Sequence, residues 1–437
     1  MKYILPLLVL LAMSLQNCAE TPKEDSPPSE WKPNYDESLV PEYTLPAVLS
    51  PASDETVESW EKKRRPEILA LFKEHVFGHL PEAKADSLWW ETLKEDKEAL
   101  GGKAIRREVQ CYFTPDKNGP SMQLMIYEPT VKTGPVPAFL ALNFFGNHSI
   151  HPDTNITLSK QWMMNREEMG VVDHKATENS RGKRSSRWPI EMIIDRGYAL
   201  ATIYYGDIDP DFDDGFQNGI QPLFYTEGQE RPTDNAWGSI GAWSWGLSKA
   251  MDVLQNMEGI NGEQVAVFGH SRLGKTSLWA GALDERFALV ISNNSGCGGA
   301  ALSRRAFGET VERINTNFPH WFNGNFKKYN AKEGNLPVDQ HQLLALIAPR
   351  PLYVASAEED QWADPKGEFL SALHANPAYH LYDLPGLPTA EMPKVNEPVV
   401  GTIGYHIRTG KHNVTDYDWE QYLSFADLHF GATSIAD

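Results

Sequence analysis

The chain has 437 residues, 41% of them hydrophobic, and a formal net charge of −19. That length and apolar content suit one large folded domain and exclude an intrinsically disordered chain. The acidity repels phosphate backbones and anionic lipid surfaces, so no nucleic-acid partner is expected.

At the N-terminus, MKYILPLLVLLAMSLQNC places Lys2 before an apolar stretch from Ile4 to Met13. The stretch is too short to span a bilayer and fits a signal peptide. Leu15-Gln16-Asn17-Cys18 resembles a bacterial lipobox, although Asn17 stands where a small residue is usual. Residues 1–18 are therefore read as a lipoprotein-type signal peptide, with lipidated Cys18 as the only route to membrane attachment and plain secretion as the alternative. Both routes predict export, to the periplasm or as an outer-membrane lipoprotein of a Gram-negative bacterium. Residues 19–50, rich in Pro, Ser and acids, read as an extended linker or strap, and 51–437 as the single folded domain of a monomer. Cys111 and Cys297 are expected to be buried free thiols, since two cysteines make no disulfide framework.

Helical spacing of apolar residues runs from Val57 to Phe77. Strands are predicted over Ala104–Phe113 and Met122–Tyr127, joined by the turn DKNGP. Strand and helix then alternate: 136–145 strand, 189–197 helix, 198–205 strand, 245–257 helix, 264–269 strand, 272–283 helix. The series continues with 287–294 strand, 341–349 helix, 351–357 strand and 380–386 strand, and closes on the amphipathic segment 418–430. Such alternation predicts an α/β fold with a mostly parallel sheet covered on both faces. Residues 147–188 interrupt the rhythm with a long polar segment, basic near Arg181–Arg187, which is expected to overhang the cleft.

In such sheets reactive residues sit on loops after the carboxyl ends of strands. VAVFGHSRLGK carries a predicted strand into a helix with Ser271 at the corner, where its hydroxyl can stand clear of the sheet and helical N–H groups can face an oxyanion. The second glycine, Gly274, comes one place later than in the usual G-x-S-x-G elbow. A serine triad on this architecture runs in the order Ser, acid, His. EEDQWADP follows the predicted strand PLYVASA, and Asp360 is the first choice there. Asp364 reads better as a turn or helix-capping residue, and Glu358 and Glu359 as solvated acids. His412 is preferred over His406 because it lies farther into the last loop, before the closing helix. No metal is expected, because the histidines lack metal-site spacing, and no cofactor is needed.

GHSRLGK, NNSGCGGAALSRR, LPVDQHQLLALIAPRPLYVASA, WADP and the loop around GYHIRTGKH resemble the glucuronoyl esterases of carbohydrate esterase family 15, bacterial members included. The resemblance implies an α/β-hydrolase fold, a three-layer αβα sandwich. It also implies hydrolysis of 4-O-methylglucuronic acid esters, as in glucuronoxylan cross-linked to lignin. Carried over, it makes Ser271 the nucleophile, His412 the general base and Arg272 the oxyanion stabiliser. Lys275, Glu309 and Trp362 become the sugar-binding residues. Fungal members place the triad acid where this chain has Asn294, so Asp360 has to serve as the acid. An acetyl xylan esterase or other carbohydrate esterase, or a non-catalytic glycan-binding lipoprotein of hydrolase fold, are the alternatives.

Overall fold

Successive side chains of a strand face opposite sides of a sheet, and the central strands of this protein bury both sides. The computed structural model describes residues 31–50, 55–81 and 88–431. Ten strands form one sheet: β1 (Trp89–Ala99), β2 (Ala104–Tyr112), β3 (Ser121–Pro129), β4 (Val136–Asn143), β5 (Ala199–Tyr204), β6 (Ile260–His270), β7 (Leu289–Asn293), β8 (Leu352–Ala357), β9 (Val399–Val400) and β10 (Ile403–Arg408). Their spatial order is β1-β2-β3-β5-β4-β6-β7-β8-β10-β9. The six strands from β5 to β10 in that order run parallel, while β1, β2, β3 and β9 are antiparallel additions at the two edges.

Val265 and Val267 of β6 point into one apolar core, and Ala266 and Phe268 into the other. Helices α1 (Arg65–Phe72), α3 (Ser239–Leu254), α4 (Arg272–Leu283), α5 (Gln340–Ala345) and α6 (Pro365–His374) contribute to the first core. Helices α2 (Ile190–Asp195) and α7 (Asp416–Phe430) close the second. This is the three-layer α/β-hydrolase architecture. Trp279 of α4 is fully buried and stacks on Phe77 at 4.4 Å, which fixes the helix that begins at Ser271.

Two expectations need correction. Residues 380–386 are not a strand: Pro377 sits in the first turn of a short helix, Asn376–His380, which runs on into turns. The strand beside β8 is instead β10, within a segment read as loop, where the buried polar side chains of His406 and Arg408 disguise it. Strand β1 was also absent from the predicted elements, because WWETLKEDKEA is charged as exposed edge strands are.

Residues from Pro33 onward form one unit. The predicted signal peptide, Cys18 and the first part of the predicted linker lie outside the described residues. From Asn34 to Ala47 the chain, irregular apart from one 3-10 turn at Glu37–Leu39, is strapped to the body. The Asn34 carbonyl accepts from Gly308 N at 2.8 Å, Glu37 pairs with Lys366 at 2.7 Å, and the Pro46 carbonyl lies 2.8 Å from His341 Nε2. Segment 147–188 is built of short turns and a two-residue hairpin, and Trp419 Nε1 of α7 donates to the Arg187 carbonyl at 2.9 Å. Among the described residues no helix is long and apolar enough to cross a membrane. Cys111 and Cys297 are buried and free.

Candidate active site

Ser271 occupies the corner between β6 and α4 with φ 59° and ψ −128°. A β-carbon normally avoids that conformation, which costs about 1–3 kcal/mol and persists only where the surroundings impose it. Here Ser271 N donates to the Asn293 carbonyl at 2.9 Å, and the Ser271 carbonyl accepts from Gly274 N and Lys275 N. The two glycines permit the sharp corner. A β-carbon on Gly269 would lie 1.9 Å from the Leu273 carbonyl oxygen, and one on Gly274 would lie 3.0 Å from Ser295 Cβ. The late glycine therefore lets the first turn of α4 settle against the loop after β7.

His412 and Asp360 meet across the sheet end. His412 Nδ1 is 2.6 Å from Asp360 Oδ2, and Asn294 Nδ2 donates to the same oxygen at 2.9 Å. Asp360 is 5% exposed, so this carboxylate is directed by both contacts and little by water. Ser271 and His412 together line both compartments of the cleft. The other candidate histidine, His406, is completely buried in β10, with Nε2 3.0 Å from Asp418 Oδ1 and Nδ1 3.0 Å from Tyr353 Oη. Asp364 caps α6 through Gly367 N and also pairs with Arg305.

Beneath the imidazole, the His270 ring lies 4.5 Å from that of His412. Its Nδ1 is 2.6 Å from Asn293 Oδ1, whose amide in turn reaches Asp418 and Tyr422. Burial, followed by the neighbouring His412, pushes His270 well below the usual histidine range. His270 is thus a neutral floor for the cleft.

Arg272 is no surface cation. Its guanidinium pairs with Asp211 and lies 4.5 Å from the Trp321 ring centroid and 5.3 Å from that of Phe318. Asp211 also accepts from Tyr205 Oη, His320 Nε2 and Trp321 Nε1 at 2.7–2.9 Å. Burial opposes ionisation of Asp211, but Arg272 and His320 outweigh it and hold the carboxyl below the usual carboxylate range. A fixed cation at the start of α4 is thereby retained beside the nucleophile.

One compartment has Lys275, Glu309, Trp362 and Trp321 in its walls with Ser271 and His412. Lys275 is 4% exposed and donates to the Ser295 carbonyl at 2.6 Å. Trp362 hydrogen-bonds the Glu309 carboxylate, and Glu309 N donates to the Trp362 carbonyl at 3.0 Å. Burial depresses the proton affinity of Lys275 and raises that of Glu309, while their mutual attraction counters both shifts. A flat indole with one cation and one anion suits a hydroxylated sugar ring. The other compartment is walled by Phe145, Met164, Arg166, Arg184 and Arg187, largely from segment 147–188.

All seven residues singled out from the sequence therefore border one cleft. Sequence reasoning missed Asp211, His320, Phe318 and Trp321, which hold Arg272. Only Asp211 carried a signal, the acid run DIDPDFDD just past the predicted strand YALATIYY, at the carboxyl end of β5. Phe144 and Phe145, just after β4, line the cleft, and the carbonyl of Gly146, at φ 86°, accepts from Ser149 N. Among the described residues no group of three or more His, Cys, Asp or Glu is placed to hold a metal ion.

The arrangement has counterparts. A family model described as glucuronyl esterase of fungi matches residues 197–383. Carbohydrate esterase MZ0003, from an unknown prokaryotic organism, is 49% identical over 424 residues, covering 96% of this chain and 98% of the relative. A solved structure described as a promiscuous CE15 esterase from a marine bacterial metagenome is 50% identical with a TM-score of 0.85, covering 91% of this chain and all of the other. A glucuronoyl esterase from Solibacter usitatus is 48% identical with the same TM-score, over 90% of this chain and all of the other. The chain belongs to carbohydrate esterase family 15, the glucuronoyl esterases.

Proposed function

We propose that this protein is a serine carboxylesterase that hydrolyses esters of glucuronic acid or its 4-O-methyl ether, as in glucuronoxylan joined to lignin alcohols. The observation that carries the reading is the His412–Asp360 contact of 2.6 Å beside Ser271, in a cleft whose wall offers Lys275, Glu309 and Trp362 to a sugar.

In this reading His412 takes the Ser271 proton as Oγ attacks the ester carbonyl, and Asp360 holds the imidazole and stabilises its positive form. The tetrahedral oxyanion faces the Arg272 guanidinium and the N–H groups that open α4, a preorganised positive field. His412 then protonates the departing alcohol. Water, activated by the same imidazole, releases glucuronate from the acyl-enzyme. Lys275 and Glu309 bind the uronate hydroxyls, and Trp362 packs on the pyranose.

Hydrolysis of benzyl glucuronate, compared with acetylated xylan, tests the assignment. Turnover of the first with dependence on Lys275 supports it; faster deacetylation that is indifferent to Lys275 overturns it. A wider ester range is a second reading, favoured by the promiscuous relative at 50% identity. The lipobox-like Leu15–Cys18 supports export and anchoring through acylated Cys18. Membrane fractionation and the mass of the mature protein, with Cys18→Ala alongside, check that point.

A further inference from the structure

Arg166, Arg184 and Arg187 converge on the compartment that shares Ser271 and His412 with the sugar side. Among the described residues none of the three has a carboxylate as ion-pair partner, in a chain with 59 acidic and 40 basic residues. Glu168 acts on Arg184 only through space. Arg184 stacks over the Phe145 ring at 4.9 Å, and its Nε is buried without a hydrogen-bond partner. Arg187 Nε donates to Asn413 Oδ1 at 2.7 Å, one residue beyond His412. The three guanidinium groups repel one another: after burial, Arg184 and Arg166 are the main influences that push Arg187 down to about 10. Like charges held this close, with a donor left unsatisfied, are unfavourable unless an anion joins them.

Phe145 and Met164 add an apolar flank to the same compartment. A ligand matching both features has a hydrophobic or aromatic body and a carboxylate, which a guanidinium grips through two parallel hydrogen bonds. We propose that this compartment is the subsite for the alcohol part of the ester, and that it selects alcohols bearing a carboxylate. The proposal rests on the reading that the uronate occupies the Lys275 side, because the alcohol then leaves toward the arginines.

The test compares kcat/KM for benzyl, 3-carboxybenzyl and 4-carboxybenzyl glucuronate. At low salt at least one acidic ester should exceed the benzyl ester by about tenfold, and the advantage should shrink as ionic strength rises. In the double variant Arg166→Gln/Arg184→Gln the ratio should fall to near one. A ratio within one variant cancels any general loss of folded enzyme. Equal rates on all three esters in the parent, or an advantage that survives in the double variant, overturn the proposal while turnover of the benzyl ester upholds the esterase reading. No turnover of the benzyl ester overturns that reading and this proposal with it.

Discussion

Asn294 donates its amide to the Asp360 oxygen that also meets His412 Nδ1, so one carboxylate oxygen is held at 2.9 Å by a neutral donor and at 2.6 Å by the imidazole. The departure from the fungal pattern is thus a division of labour: the amide aims a charge supplied from the loop after β8. Asp360→Asn should leave the cleft in place and lower kcat on benzyl glucuronate by about four orders of magnitude. Asn294→Ala should cost about tenfold, the worth of one buried hydrogen bond to a charge. Steady-state kinetics on both variants decides it, and an unimpaired Asp360→Asn enzyme would remove the acid assignment.

Ser271→Ala should reduce hydrolysis by at least about four orders of magnitude while glucuronate still binds. Calorimetric titration beside the rate assay separates the two effects. Loss of sugar affinity in the same variant would mean that the hydroxyl serves binding.

Lys275→Ala should lower kcat/KM on methyl glucuronate by about ten- to a hundredfold, as expected for a lost hydrogen bond to a charged group. An acetyl ester that lacks the uronate ring should be affected far less. Parallel kinetics on the two substrates reads the contrast, and equal losses would place Lys275 in the fold alone.

Asp211→Asn should destabilise the protein by about 3 kcal/mol at neutral pH, because it leaves Arg272 in the cleft without its anion. Asp211 has a folded-state pKa below its ordinary value of 3.8. The stability it contributes is therefore complete above about pH 4 and lost as pH falls through the lower folded value. Melting curves of parent and variant should differ most at neutral pH and converge in acid. A gap that stays constant down to the acid limit would exclude a role for the Asp211 charge.

The positions of Ser271 and Asp360 at strand ends were legible because each follows an apolar run, and burial on both faces makes parallel strands near-continuous in hydrophobicity; His412 was instead placed after residues 380–386, which are not a strand. β10 was not legible for the opposite reason. It carries His406 and Arg408 into the interior, where Asp418 compensates both, and a carboxylate 10 residues distant in sequence from Arg408 cannot be foreseen as its partner. The same limit hid Asp211, which lies 61 residues from Arg272 and looks like one more acid in a solvated run. Pairings that neutralise buried charge belong to the tertiary fold, whereas corner geometry and strand order are written locally.

The backbone twist at Ser271 carries one more consequence. Glycine accepts φ 59° freely, so Ser271→Gly recovers about 1–3 kcal/mol of distortion and loses up to about 1 kcal/mol to the greater freedom of its unfolded chain. The dead enzyme should melt slightly higher than the live one. Catalytic geometry at this corner is thus held at the expense of thermal stability.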